Sequence, residues 1–278
     1  MSAVCFNPFI MLDAWPAIFV ADLLRYVIPT SFVALVISLL PPDWAVLRRV
    51  RLRQPEAGQQ GRELSFSLLT VLIFSMNGVV IFAGAKLGWL QIYTAVNDRG
   101  WMYLLASLAG LVVLHDAWFY WTHRLMHRPR WFRWIHGVHH RSVAPTPWAA
   151  YSFAPAEAVI HAVFLTLVLA VLPLHPLAIF VFLVHMIARN VLGHAGIELV
   201  PGRWLAGWWG RWMTTTLHHD LHHAHGRYNF GLYFTWWDRI GGTEHPDYRG
   251  RLREVVHQIA QASFTTAAGQ PRGRENSK

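Results

Sequence analysis

Residues 111–140 read LVVLHDAWFYWTHRLMHRPRWFRWIHGVHH. An apolar, aromatic-rich segment runs into H-x-x-x-H at His123 and His127; an arginine- and tryptophan-rich link follows, then H-x-x-H-H at His136, His139 and His140. The second spacing returns at His219, His222 and His223, and His194 stands between. On a helix, residues three and four apart share a face, so each group is expected to present its imidazoles to one point. Imidazole suits iron, zinc, copper and nickel. One such ion takes four to six donors, so nine imidazoles with water or an amide suit two ions in one cavity.

The rest of the chain reads as scaffold for these residues. Of the 278 residues, 54% are hydrophobic and 14% charged, and the mean hydropathy is +0.28, too apolar for an ordinary soluble chain. Charge is segregated between long neutral stretches, the pattern of a multi-pass membrane protein. The formal net charge of +9 sits on no basic helix or nucleic-acid module, so a nucleic-acid partner is not expected. Cys5 is the single cysteine, which excludes an internal disulfide and a four-cysteine iron–sulfur cluster. The N-terminal MSAVCFNPF lacks a basic region and does not read as a cleaved signal peptide.

Hydropathy predicts an all-α protein with four to five membrane-embedded helices. The expected segments are Pro16–Leu40, Leu64–Ile92, Trp101–Trp121, and a hairpin of Trp148–Leu172 and Leu174–Leu192 turning at Pro173–Pro176. The link Asp43–Glu63 carries Arg48, Arg49, Arg51, Arg53 and Arg62, so the positive-inside rule places it in the cytoplasm. Counting crossings from there brings every histidine group to the cytoplasmic face, as a helical cap on the bundle. HRPRWFRWIHGVHHR and Pro201–Trp212 have the composition of headgroup-level segments. A short amphipathic helix is expected over Arg251–Ala262, residues 1–262 as one integral membrane domain, and residues 263–278 as a disordered tail.

Around the histidines, Asp116 lies seven and eleven residues before His123 and His127, where a carboxylate could accept a ligand's second ring N–H. Asn190, four residues before His194, could supply an amide oxygen, hold a water, or simply pack between helices. Glu157 lies in an apolar helix with His161 one turn later, and ionisable groups at such depth face polar cavities. Asp220 and Asp238 are weaker candidates of the same kind. His115, His218 and His225 are reserve ligands; His161, His175, His185 and His245 are isolated and read as structural or exposed.

The motifs HRLMH, HGVHH and HDLHH, the lead-in DAWFYWTHRLMH, the GHAGIEL segment and the closing NFGLYFTWWDRIGGTEHP resemble the fatty acid hydroxylase and sterol desaturase superfamily of membrane di-iron oxygenases over Leu111–Pro246. The resemblance implies that His123, His127, His136, His139, His140, His194, His219, His222 and His223 bind two iron ions, with zinc able to replace iron in a purified sample. Some relatives carry a further histidine where this chain has Asn190. The implied reaction uses O2 and two external electrons to hydroxylate a C–H bond of a lipid (fatty acyl chain, sterol or head group), with desaturation at the same site as the alternative. With no fused haem domain and no cysteine cluster, a separate ferredoxin or cytochrome b5 type donor is implied. A membrane metal transporter is the alternative of another class. The compact chain without an internal N-x-S/T acceptor favours a bacterial inner membrane over an endoplasmic reticulum.

Overall fold

The computed structural model describes residues 8–51 and 53–267. In chain order the helices are α1 (Pro8–Leu39), α2 (Pro42–Arg48), α3 (Gln59–Lys86), α4 (Gly100–Met126), α5 (Pro129–Ile135), α6 (Pro155–Val171), α7 (Pro176–Gly193), α8 (Gly202–Ala206), α9 (Trp208–Trp212), α10 (Thr216–His225), α11 (Trp236–Ile240) and α12 (Tyr248–Ala267). Among the described residues there is no strand, only isolated bridges at Arg49–Ile197, Ile92–Leu174 and Met213–Phe234. The protein is a multi-pass membrane protein. Four described helices, α1 from Asp13, α3, α4 and α7, are long and apolar enough to cross a bilayer, and α6 is a shorter apolar helix.

The five apolar helices pack as one bundle. Tyr26 and Val33 of α1, Val71 of α3, Ala158 of α6 and Ile187 and Val191 of α7 close one core beside Tyr151 and Phe153. Leu111 of α4, Phe164, Val168 and Leu169 of α6 and Phe182 of α7 close another nearer the α6–α7 turn. At that end, main-chain bonds tie Gln91 to Leu169 (2.8 Å) and Tyr93 to Leu174 (3.2 Å). The outer faces keep large apolar side chains exposed, among them Phe32, Leu39, Met102 and Phe180, as a lipid-facing surface requires.

At the opposite end the helices outrun the span. α4 has 27 residues, about 40 Å at 1.5 Å per residue against a hydrocarbon core of about 30 Å. The helix is thus longer than the span requires, and its last turns carry His123 toward the histidine-rich end. There α8, α10 and α12 build a cap with its own core of Leu205, Leu217, Leu221, Tyr248, Leu252 and Ile259.

Several expected boundaries shift. The hairpin's first arm begins with a 3-10 turn over Pro147–Tyr151 and becomes α6 only at Pro155, because Pro147 and Pro155 remove main-chain donors and each restricts the residue before it. The C-terminal helix runs to Ala267, beyond the expected Ala262, so residues 263–267 of the expected tail are helical. The remainder, residues 268–278, lies outside the described residues, as does Cys5.

Two arginines of the basic link are anchors of the cap. Arg48 donates to the carbonyls of Glu198 (3.1 Å) and Val200 (2.9 Å), and Arg51 to those of Ala195 (3.0 Å) and Pro145 (3.2 Å). Gly196, at φ +67°, leaves the Arg51 guanidinium the space a Cβ would fill. Glu63, fully buried, holds the loop break: it accepts from Gln59 Nε2 (2.7 Å) and the Thr146 hydroxyl. Neither the arginine anchors nor Glu63 stood out in the sequence, where each carried only a charge.

Candidate metal centre

All nine histidines singled out by spacing gather at the cap end, in two groups. His123, His127, His136, His140 and His222 form one, and His139, His194, His219 and His223 the other; within each group one ring nitrogen per residue lies within 4.8 Å of the rest. Each H-x-x-H-H motif is thus shared between the groups. This corrects the expectation that each motif converges on one point.

Helix geometry explains the division. In α10, His219 and His223 are four residues apart and lie about 40° from each other around the axis, whereas His222 is turned about 100° from its neighbour. The pair enters the second group and His222 the first. The other motif divides by a different route: α5 ends at Ile135, His136 caps it, and a 3-10 turn over His139–Arg141 follows. His136 and His140 stay in the first group while His139 reaches the second. His140 and His223 stack at 4.8 Å between centroids along the shared wall.

The tautomers are legible from the far side of each ring. Nδ1 of His123 faces the carbonyl of Phe230 (2.9 Å), of His139 that of Ser152 (3.3 Å), of His194 that of Asn190 (2.7 Å) and of His222 that of Tyr228 (2.7 Å). His136 Nδ1 faces Glu157 Oε1 at 2.7 Å. A carbonyl or carboxylate only accepts, so each of these Nδ1 atoms carries the proton and each Nε2 presents a bare lone pair. Yet His123 Nε2 and His136 Nε2 are 2.9 Å apart, and His139 and His194 Nε2 3.3 Å apart.

Two bare nitrogens at that distance share no hydrogen and repel unless a cation lies between them. His140–His222 (3.0 Å), His194–His219 (3.0 Å) and His219–His223 (3.1 Å) Nε2 pairs have the same spacing. With metal–nitrogen bonds of about 2.0–2.1 Å, ligands at right angles bring their nitrogens to about 2.9–3.0 Å and tetrahedral ones to about 3.3–3.4 Å. The observed separations fall on those edges, and the donor set fits a divalent metal in each group. Burial pushes His136, His139, His140, His219, His222 and His223 well below the ordinary imidazole value, and His194 to about 4. They therefore stand neutral, as ligands must.

The surrounding candidates fall out differently. Glu157 faces His136 directly, with His161 Nε2 3.8 Å away; the sequence had paired Glu157 only with His161. Asp116 was expected to accept from a ligand histidine and does not: His123 gives its proton to Phe230. Asp116 instead accepts from the main-chain nitrogen of Tyr233 (2.7 Å), acting one step back on the 230–234 loop. Asp238 holds the same loop, accepting from Phe230 N (2.8 Å), Gly231 N (2.9 Å) and Thr243 Oγ1 (2.8 Å). Asn190 meets the centre through its main chain: its amide side chain donates to Ala150 O at 2.6 Å, and its carbonyl fixes His194. Asp220 is buried in α10.

The reserve and isolated histidines have other partners. His115 Nδ1 meets the Tyr233 hydroxyl (2.9 Å), His218 lies 3.3 Å from Asp238 and His225 Nδ1 bonds Leu221 O (3.1 Å). His175 caps α7, His185 packs on Tyr233, His245 on His225, and His161 stacks on Phe119.

Residues 108–243 match the family model described as fatty acid hydroxylase. The chain is similar to a Delta(7)-sterol 5(6)-desaturase of Gibberella zeae, 32% identical over 66% of this chain and 55% of that protein. It is also similar to the lathosterol oxidase of Mus musculus (28%, over 68% and 62%) and to methylsterol monooxygenase 1 of Rattus norvegicus (32%, over 52% and 48%). Over residues 108–243 the chain is similar to the fatty acid hydroxylase and sterol desaturase superfamily. It spans about half to three fifths of the length of these relatives. No solved structure matches it significantly.

Proposed function

We propose that this chain is a membrane-bound oxygenase of lipids, with His123, His127, His136, His140 and His222 holding one iron ion and His139, His194, His219 and His223 a second. The observation that carries the reading is the set of bare nitrogens facing one another in two adjoining groups at the cap end of a membrane bundle. When bound, two iron ions would supply activation of O2. The chain's own residues do the rest: Glu157 and the carbonyls of Phe230, Ser152, Asn190 and Tyr228 fix the imidazole tautomers, and the bundle excludes bulk water from the reacting carbon.

The balance for hydroxylation is one O2, two electrons and two protons, with one oxygen entering the lipid and the other leaving as water. Desaturation takes the same input, removes two hydrogens from the lipid and yields two waters. Relatives named as desaturases and as a monooxygenase favour keeping both outcomes at one site. The electrons come from a separate ferredoxin or cytochrome b5 type partner. The arginine-rich link lies at the same end as the centre, which supports a cytoplasmic face for it. The relatives named above are fungal and mammalian, and lend no weight to a bacterial inner membrane over an endoplasmic reticulum. A metal transporter would spread its ligands across the bundle, whereas these histidines gather at one end. Residues 1–262 are taken as one domain, since α4 and α7 carry their histidines directly from the bundle into the cap.

The test is expression of the full chain followed by lipid mass spectrometry under labelled O2. A lipid gaining one labelled oxygen, or losing two hydrogens in strict dependence on O2, is expected. Metal flux into sealed vesicles without any lipid product would overturn the reading in favour of transport.

A further inference from the structure

A cleft of about 510 Å³ opens on the cap between the α8–α9 pair and α12. Helix spacing gives its α12 wall two rows. Arg249, Arg253 and His257, four residues apart, make a basic rim; Leu252, Val256 and Ala260, also four apart, make an apolar floor beside it. Leu205 of α8 and Arg211 of α9 stand on the opposite wall. The lining thus carries three arginines and no acid. Arg249 is already committed, to Glu244 (2.6 Å) and to the carbonyl of Gly210 (2.6 Å). Arg211 lies 5.3 Å from the ring centroid of its neighbour Trp212. Both Arg211 and Arg253 are exposed, and among the described residues no ion pair engages either.

The cleft lies at the level where the membrane helices end. α7 has 18 residues, about 27 Å at 1.5 Å per residue, just enough to cross a hydrocarbon core of about 30 Å. One turn from its end, the Arg189 guanidinium lies over Trp209 of α9 at 5.1 Å. The other wall, α12, packs on α2, which follows α1 directly. Trp204 and Trp208, on the same α8–α9 pair, are 49% and 64% exposed, and tryptophan is enriched at headgroup level.

An apolar floor beneath unpaired arginines at that level suits a phospholipid of net negative charge. Guanidinium groups offer paired N–H donors to phosphate oxygens, and the floor can take the ester and upper acyl carbons. Phosphatidylcholine has the same phosphate but brings a cation beside the arginines, which repel it. Residues 268–278 carry Arg272, Arg274 and Lys278 against one acid, Glu275, the wrong sign to fill the cleft. An acidic protein would match the charge but has no use for the apolar floor. We propose that this cleft binds one anionic phospholipid per chain, its phosphate held by Arg211 and Arg253 and its acyl end on the Leu252–Val256 floor. The site needs only the chain's place in a membrane and is independent of lipid oxidation.

The experiment is native mass spectrometry of the full chain in detergent, titrated with phosphatidylglycerol, phosphatidylcholine or free glycerol 3-phosphate. One phosphatidylglycerol per chain should bind about tenfold or more tightly than phosphatidylcholine, and glycerol 3-phosphate should bind far more weakly than the lipid. Arg211→Gln/Arg253→Gln should bring the preference to about one with metal content unchanged. Arg203→Gln/Arg251→Gln removes the same charge from residues of α8 and α12 off the cleft lining, and should keep the preference. If the first double variant misfolds, Arg253→Glu serves, since that side chain is exposed on α12, and should also lose the preference. No preference in the unaltered chain, its persistence in Arg211→Gln/Arg253→Gln, or an equal loss in Arg203→Gln/Arg251→Gln overturns the proposal. Glycerol 3-phosphate binding as tightly as the lipid would assign the cleft to a free anion and overturn it too. So would retention of an acidic ferredoxin, lost in the first double variant, with no lipid preference.

Discussion

Replacement of Glu157 by alanine separates the two metal positions. The carboxylate accepts from His136 Nδ1 at 2.7 Å, and both side chains are buried, at 1% and 2% exposure. Removing it leaves the ring N–H without an acceptor where water does not reach, at a cost of about 1–3 kcal/mol. Loss of a ligand-orienting partner lowers metal affinity by about 10- to 100-fold, which is about 1.4–2.8 kcal/mol, so the two routes agree. The second group has no such dependence, because His139 and His194 are oriented by main-chain carbonyls. The assay is competition of the metal-loaded chain against a graded chelator, with zinc as a convenient stand-in at nitrogen ligands. Glu157→Ala should release one ion per chain at about 10- to 100-fold lower chelator strength and leave the other unmoved. Glu157→Gln keeps an acceptor oxygen and should shift release by less than about tenfold. Equal weakening of both ions, or of neither, would refute the assignment of Glu157 to the His136 group.

Asp238→Ala removes the acceptor of three hydrogen bonds that hold the 230–243 loop; thermal unfolding in detergent should show a loss of about 3 kcal/mol or more, with weaker metal binding at the His123 group through Phe230. Asp116→Ala should lower stability by about 1–3 kcal/mol by orphaning the Tyr233 main-chain nitrogen while leaving two ions bound; loss of both ions would contradict its place behind the loop. For the metal-free chain, burial holds His194 at about 4 against an ordinary 6.5, and His136, His139, His140, His219, His222 and His223 are shifted the same way. The unfolded chain therefore binds more protons than the folded one below pH 6.5, so stability is full above 6.5 and falls as the pH drops toward 4. Chemical denaturation of the metal-free chain at pH 7.5, 6 and 5 should follow that order, and a flat profile would contradict neutral buried histidines.

Much of this arrangement was legible in the residues themselves. Apolar runs bounded by prolines and arginines marked the bundle, because lipid demands long apolar helices and leaves little freedom in where they begin and end. Spacing marked the nine histidines for the same reason that it marks any helical face. What spacing could not supply was the partition: it depends on a 3-10 turn at His139–Arg141 and on the direction from which α10 approaches, both set by packing. The second set of partners was hidden for a different reason. Five ring nitrogens face main-chain carbonyls or a carboxylate distant in sequence, and a carbonyl leaves no mark on residue identity. Asp116 and Asp238 were visible as acids near the motifs, but whether an acid faces a ring or a loop nitrogen is decided by the loop's path. Arg48 and Arg51 served in the sequence only to orient the link and turned out to be anchors, since the positive-inside rule counts charges without saying which are buried.

The most direct measurement of the central claim is elemental analysis of metal per chain in two paired variants. The unaltered chain should carry two ions. His123→Ala/His222→Ala removes two ligands from one group and His139→Ala/His219→Ala two from the other; each pair should retain one ion, and the four substitutions together none. Loss of both ions from either pair would show that its two histidines serve different metals, and would contradict the interleaved centre described here.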